Sequence, residues 1–430
     1  MKTANLKLAS PWTRPVALAV ATLVLALGST GCSSECSDAF DCRNDEGEPP
    51  AGERWTCREE KCETVPIDEE PVPDAGTDAG TDAGTDAGTD AGTDPCVTAP
   101  HDAKLGTLQL QTGFQVGESV ALRDDVLAVA ASPGPTYAVY AVRGNLSGVD
   151  SAMYSLGVWP GLQGEGTKLQ DVVSESDRTG SATVYPGNYL VADGKRLFAG
   201  YTTSATGSPG SVAVHDIATP VDSTQVSSPR NFSAAAFSFD TTTALLVNGG
   251  GLGTTADGLG VYALVTSDTR GTTTKVATFP EDAGASGITV VAANGIAVLG
   301  YAAPPTYENQ AYAVSPAALA QAVSSSTPVT LTAQPKLEVG SNFNAAAAFG
   351  NGVAFNRGSY DSSFRFVATD VSRYSLTIGI SDVAIGDRVP LLTYADQCTA
   401  VELMTPLGSD VLVGLRDKNG RRLVHLQQAP

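Results

Sequence analysis

The 430-residue chain has little of what most local catalytic signatures require. It carries three histidines, His101, His215 and His425, none within five residues of another. No HExxH or His-x-His metal site is therefore encoded locally. No G-x-S-x-G elbow is present, since Gly284-Ala285-Ser286-Gly287 misses that spacing. Gly194-Lys195-Arg196 lacks the upstream glycine and the hydroxyl residue of a phosphate-binding loop. Basic residues number 26 against 46 acidic ones, a formal net charge of −20. That deficit excludes nucleic-acid binding through phosphate neutralisation, and electrostatic docking on anionic lipid. No apolar run reaches the roughly 20 residues a helix needs to cross a bilayer. Hydrophobic residues make up 42% of the chain, enough to bury a core.

The N-terminus has the pattern of an export signal. Lys2, Lys7 and Arg14 precede a mostly apolar stretch at residues 16–27, too short to span comfortably. It leads into Gly28-Ser29-Thr30-Gly31-Cys32. This resembles the lipobox of bacterial lipoproteins, in which small residues precede a cysteine that is lipidated and becomes the mature N-terminus. The resemblance implies removal of residues 1–31, lipidation of Cys32 and attachment to a membrane through that lipid. Ser33 follows the cysteine, which by the family's sorting rule implies the outer membrane, facing the periplasm or the cell surface.

With Cys32 set aside, Cys36, Cys42, Cys57, Cys62, Cys96 and Cys398 remain, an even number in an exported chain. The first four make residues 32–66 a small cysteine-rich module. Their spacing, C-x5-C-x14-C-x4-C, is wider than the usual zinc pattern and points to disulfides. Residues 67–95 form a linker built on five repeats of Ala-Gly-Thr-Asp. A helix there would stack like charges four residues apart and contain five glycines, so the linker is expected to be disordered. Calcium loops place their oxygens at alternate positions, which a four-residue period does not do. The succession of lipobox, cysteine cluster and acidic tract is similar to surface lipoproteins of Gram-negative gliding bacteria such as myxobacteria.

Residues 96–430 read as all-β. Turn signals at Asp125, Gly194, Thr242, Gly295, Gly352 and Asp410 each precede an apolar strand, spaced 69, 48, 53, 57 and 58 residues apart. The one helical stretch begins with Ser315 as N-cap and Pro316 at the first position. Third strands are expected near residues 137–142, 212–215, 261–265, 311–314, 364–367 and 423–426. Fourth strands are expected near 275–279, 328–331 and 374–378. A fourth strand is missing at the C-terminus while residues 105–111 form an unassigned strand at the N-terminus. A six-bladed β-propeller closed by that N-terminal strand accounts for both, with Cys96 and Cys398 placed to bridge the closure. The long first gap leaves a seventh blade open, and a β-sandwich shares the same strand and turn vocabulary.

For function, aromatics are the better signal. Tyr154 and Trp159 lie in the long first insertion, and Tyr301, Tyr307 and Tyr312 surround Ala302-Ala303-Pro304-Pro305. Such residues on propeller loops stack on sugars, anchor protein partners or pack their own loops. No cofactor or metal pattern is found. The expected role is a lipid-anchored envelope module for binding or assembly, with an envelope protein or polysaccharide as partner. A propeller hydrolase or lyase acting on envelope polysaccharide is the first alternative, requiring two carboxylates about 5–10 Å apart. A subunit of an envelope machine such as gliding motility is the second.

Overall fold

A computed structural model describes residues 50, 53–58, 61–66, 94–145, 149–180, 183–186, 189–203, 210–218, 224–228, 231–239, 242–249, 260–265, 272–280, 286–303, 306–363, 365–379 and 382–430. They belong to two units, Met1–Gly88 and Thr89–Pro430. In the first unit, Glu53–Arg58 and Lys61–Pro66 pair as an antiparallel hairpin with Cys57 opposite Cys62. Cys62 is disulfide-bonded. Cys32, Cys36 and Cys42, the export signal and the repeats at 74–93 lie outside the described residues, as does the Cys57 side chain.

The second unit is a six-bladed β-propeller, each blade a small antiparallel sheet. Blade 1 is Ala152–Val158 and Gly161–Asp171 outside Val126–Ala131 and Ala138–Arg143. The innermost strands of blades 2 to 6 are Val191–Ala192, Asn231–Phe239, Ser286–Ala293, Asn342–Phe349 and Ala400–Leu407. Blade 6 closes the ring: after Asp410–Asp417 and Gly420–Gln428, its fourth strand is Phe114–Leu122 from the start of the domain. The closing strand is therefore not residues 105–111 as expected. Within that stretch Leu108–Leu110 pairs with Val383–Tyr394 and becomes a fifth strand of blade 5.

The long first gap has a simple cause. The turn at Asp124-Asp125 connects the last strand of blade 6 to the first of blade 1, whereas the other five markers sit between the first and second strands of their blades. The equivalent turn of blade 1 contains Gly134, which stands 60 residues before Gly194. No seventh blade is needed. Residues 137–142 are accordingly a second strand, not a third. Residues 374–378 belong to the 13-residue third strand of blade 5, Phe366–Ile378. Val329–Thr330 pairs in parallel with Thr272–Thr278 of blade 3, so the fourth strand of blade 4 is Lys336–Leu337. The helix runs Pro316–Ser325, with the Ser315 hydroxyl accepting from the Ala318 N–H at 3.3 Å.

Among the described residues of this unit the core is divided into six apolar clusters, one at each blade-to-blade interface. In blade 4, Ala297, Leu299 and Tyr301 pack towards blade 3, while the alternating Ile296 and Val298 pack towards blade 5. Burial on both faces is why Ile296–Ala302 is apolar throughout instead of alternating. Asn294 and Gly295, both at positive φ, make the tight turn that begins this strand.

A repeated polar clamp joins the blades. The innermost strands of blades 1, 3, 4, 5 and 6 each carry a bulge near their start, where the ladder is interrupted. In four seams a side chain of the preceding blade reaches a carbonyl there. Asn248 donates to Thr289 O at 3.2 Å, Asn309 to Phe343 O at 2.7 Å, Asn356 to Val401 O at 3.4 Å and Arg421 to Val126 O at 2.8 Å. Asn248 fits only because residue 287 is glycine: a Cβ there would stand 1.7 Å from its Oδ1.

Candidate functional site

Each innermost strand starts on the face where the connector from the previous blade arrives. The second strand returns to that same face, so inter-blade connectors and second-to-third-strand loops share it. We call it the entry face, and the opposite one the exit face. Six strands converging on one axis favour small side chains there. The central channel, about 1000 Å³, is accordingly walled by residues such as Ala130, Ala192, Ala235, Ala292, Ala346 and Thr405, one from each blade.

Charge gathers at the entry mouth, between blades 6 and 1. Asp124 lies in the connector, Glu402 on the innermost strand of blade 6, and Arg416 and Arg421 flank the hairpin after Asp410–Asp417. Arg416 contacts Asp124 at 3.0 Å and Glu402 at 2.5 Å, and Arg421 contacts the other Glu402 oxygen at 2.6 Å. Arg421 also donates to the carbonyls of Arg123 and Asp124, both at 3.0 Å. The Glu402 hydrogen bond, opposed by partial burial and assisted by Asp124, holds Arg416 above its usual range. Alongside, Asp125 pairs with Arg123 and Arg143. Burial raises its carboxyl, but the two guanidiniums outweigh that and hold it low. Both Glu402 oxygens are thus taken, and neither carboxylate at the mouth faces the channel unpaired.

The histidines stand apart. His101 Nε2 meets Asp417 at 2.5 Å, His215 Nδ1 meets Gln170 at 3.2 Å, and His425 Nε2 meets Asp410 at 2.9 Å. Burial would raise Asp417, yet the Asn419 N–H, the Arg422 guanidinium and His101 together hold it low. Burial pushes His215 down. Among the described residues no group of three His, Cys, Asp or Glu side chains is placed to hold a metal ion.

Four of the five candidate aromatics are buried or half-buried. Tyr301 and Tyr312 are core residues, 4% and 7% exposed, with parallel rings 6.0 Å apart. Tyr154 is half-buried beneath the Arg143 guanidinium, 4.3 Å from its ring centre. Trp159 is half-buried on the exit face, edge-on to His425. Only Tyr307 of the five is exposed. Two other exposed rings, Tyr185 and Tyr360, carry no motif to single them out in the sequence. Cys96 and Cys398 are bonded, with Cα atoms 5.1 Å apart.

No protein-family model and no curated protein matches the chain. Among solved structures it is similar to a protein of unknown function from Dyadobacter fermentans, at 10% identity and a TM-score of 0.47 over 74% of this chain and 100% of that one. It is also similar to a Trichoderma reesei protein of Carbohydrate-Active Enzymes Family AA12, at 12% identity and a TM-score of 0.44 over 77% and 100%. A third is an oligogalacturonate lyase in complex with manganese, at 12% identity and a TM-score of 0.39 over 68% and 74%.

Proposed function

We propose that this is a lipid-anchored protein of the outer membrane whose propeller serves as a binding or assembly module in the periplasm or at the cell surface. The observation that carries the reading is the use made of the charges at the channel mouth. Arg416, Arg421, Glu402 and Asp124 pair with one another and with connector carbonyls across the seam that closes the ring. Polar groups committed in this way hold a scaffold together, and the channel behind them is walled mainly by apolar residues, alanine and valine together with Leu127, Ile288, Phe343, Leu403 and Met404. Glycoside cleavage requires an acid and a base or nucleophile, both directed at substrate.

Two measurements test it. Cys32→Ala should move the protein from the membrane fraction to the soluble fraction; continued sedimentation with membranes sinks the anchoring part. Detergent extraction followed by cross-linking, or by binding to envelope polysaccharide, should capture a ligand without turnover. Release of new reducing ends or unsaturated products by the purified protein would replace the module with the enzyme.

A further inference from the structure

Among the described residues three aromatic side chains are exposed: Tyr185, Tyr307 and Tyr360, at 48%, 49% and 47%. All three belong to the entry face. Tyr185 precedes the innermost strand of blade 2, opposite Thr202 near the end of the second strand. Tyr307 lies between the second and third strands of blade 4, and Tyr360 ends the second strand of blade 5. Of the exposed aliphatic residues, Val158 and Ile378 end third strands and so belong to the exit face, while Val389 lies within the fourth strand of blade 5 and Val97 ahead of the propeller strands.

Two of these residues are constrained, Tyr307 in its backbone and Tyr360 in its ring. Tyr307 has φ +51°, a left-handed conformation disfavoured for a bulky side chain, in a turn closed by its N–H on Ala303 O at 3.0 Å. Such a conformation persists where the surrounding fold imposes it, and it marks candidate functional positions. Tyr360 is braced edge-on by Phe366, with ring centres 5.4 Å apart.

We propose that the entry face binds a neutral polysaccharide, with Tyr185, Tyr307 and Tyr360 each stacking against a sugar ring. This rests on the reading of the propeller as a binding module. A protein partner is best met by a contiguous apolar patch with clustered anchors. Here the rings stand on three separate blades, an arrangement suited to a chain of repeating units, each offering an apolar C–H face and hydroxyl edges. Tyrosine matches such a unit with an apolar ring and a polar tip. At the mouth, Arg416 and Arg421 are already paired with Glu402 and Asp124, so neither is offered to an acidic sugar.

The test is native affinity electrophoresis of the full chain in detergent, in gels containing galactomannan, xyloglucan, laminarin, dextran or polygalacturonate. At least one neutral polymer should retard the protein. Each Tyr→Ala change should weaken retention by about 2–10-fold, each Tyr→Phe should preserve it, and the triple Tyr→Ala variant should migrate freely with an unchanged unfolding midpoint. Retention unaffected in the triple variant overturns the proposal, as does failure of every neutral gel or retention by polygalacturonate alone. Capture of an envelope protein, lost in the triple variant and without sugar retention, also overturns it while leaving the module reading standing. Neither sugar nor protein capture would remove both.

Discussion

Replacing Cys96 and Cys398 by serine should lower the stability of the propeller substantially without changing its fold. The bond spans 302 residues. In the chain-entropy account, opening a loop of that length returns about 5–6 kcal/mol of freedom to the unfolded chain. Residual structure in the unfolded chain reduces this, so the expected loss is about 2–5 kcal/mol. The folded state should hardly change because the segment has other attachments. Lys418 donates to Val97 O at 2.7 Å, Arg422 to Lys104 O at 2.8 Å and Thr107 N–H to Thr399 at 2.9 Å, while Leu105 and Leu108 are buried. Urea unfolding of the double variant, followed by circular dichroism, gives the measurement. At a slope of about 3 kcal/mol/M the midpoint should fall by roughly 1 M. Either single serine variant should behave like the double one, since one thiol cannot close the loop. A loss below about 1 kcal/mol would refute the reasoning, and so would a native spectrum showing that the N-terminal strands had detached.

Asn356→Leu tests the inter-blade clamp. Asn356 is fully buried, donates to Asn344 at 2.7 Å and to Val401 O, and accepts from the Tyr394 hydroxyl at 2.8 Å. Leucine fills the space but strands these partners, and at about 1–3 kcal/mol per stranded group the domain should lose about 2–4 kcal/mol; a loss under 0.5 kcal/mol would show the clamp to be incidental. His215 supplies a pH dependence. Burial depresses its folded pKa below its unfolded value near 6.5, so its neutral form favours folding above that pH and the benefit is lost as pH falls through the folded value. Unfolding free energies from pH 7.5 to 5 should therefore decline less steeply in His215→Gln than in the parent, and equal slopes would exclude the histidine as their source.

The fold was legible because each blade repeats a strong local signal. Asn294-Gly295, Asp193-Gly194 and Ser409-Asp410 each announce a hairpin, and an apolar strand follows every one. The phase of the first repeat was not legible, because Asp124-Asp125 looks like the other turns although it joins two blades. The closing strand is hard to recognise for a related reason. Residues 105–111 alternate cleanly, but Phe114–Leu122 is half-exposed along most of its length, as an outer strand should be, and shows a weaker pattern. The runs Ala234-Ala235-Ala236 and Ala345-Ala346-Ala347-Ala348 lie on innermost strands, where converging backbones favour small side chains. The clamps left a fainter trace: an isolated asparagine after an apolar run, as in Leu245-Leu246-Val247-Asn248, is a polar group entering a core and needs a partner there. Tyr301 and Tyr312 lie on expected strands, but which face a strand turns inward is set by the neighbouring blade, and both rings pack into the interface between blades 3 and 4.

Ring closure explains why so much polar structure gathers on one side of the mouth. Every seam between blades has a short connector, Asp124-Asp125 being the one between blades 6 and 1, and this limits the entropy of bringing neighbours together. The two ends of the domain, separated by some 300 residues, meet inside blade 6, where Gly420–Gln428 pairs with Phe114–Leu122, and the cost of that closure must be met by contacts made around it. These are the Phe114–Leu122 strand, the Cys96–Cys398 bond, the His101–Asp417–Arg422 cluster and the Arg416–Glu402–Arg421 network with its grip on the Val126 carbonyl. The asymmetric charge at the mouth is what ring closure requires. Residues 101–430 have 19 basic and 27 acidic residues, while residues 32–100 have 4 and 19. The chain's overall acidity therefore resides largely outside the ring, and the basic residues at the mouth are placed for closure. A ligand of the entry face would then be held by the tyrosines of blades 2, 4 and 5, apart from the charges committed to closure.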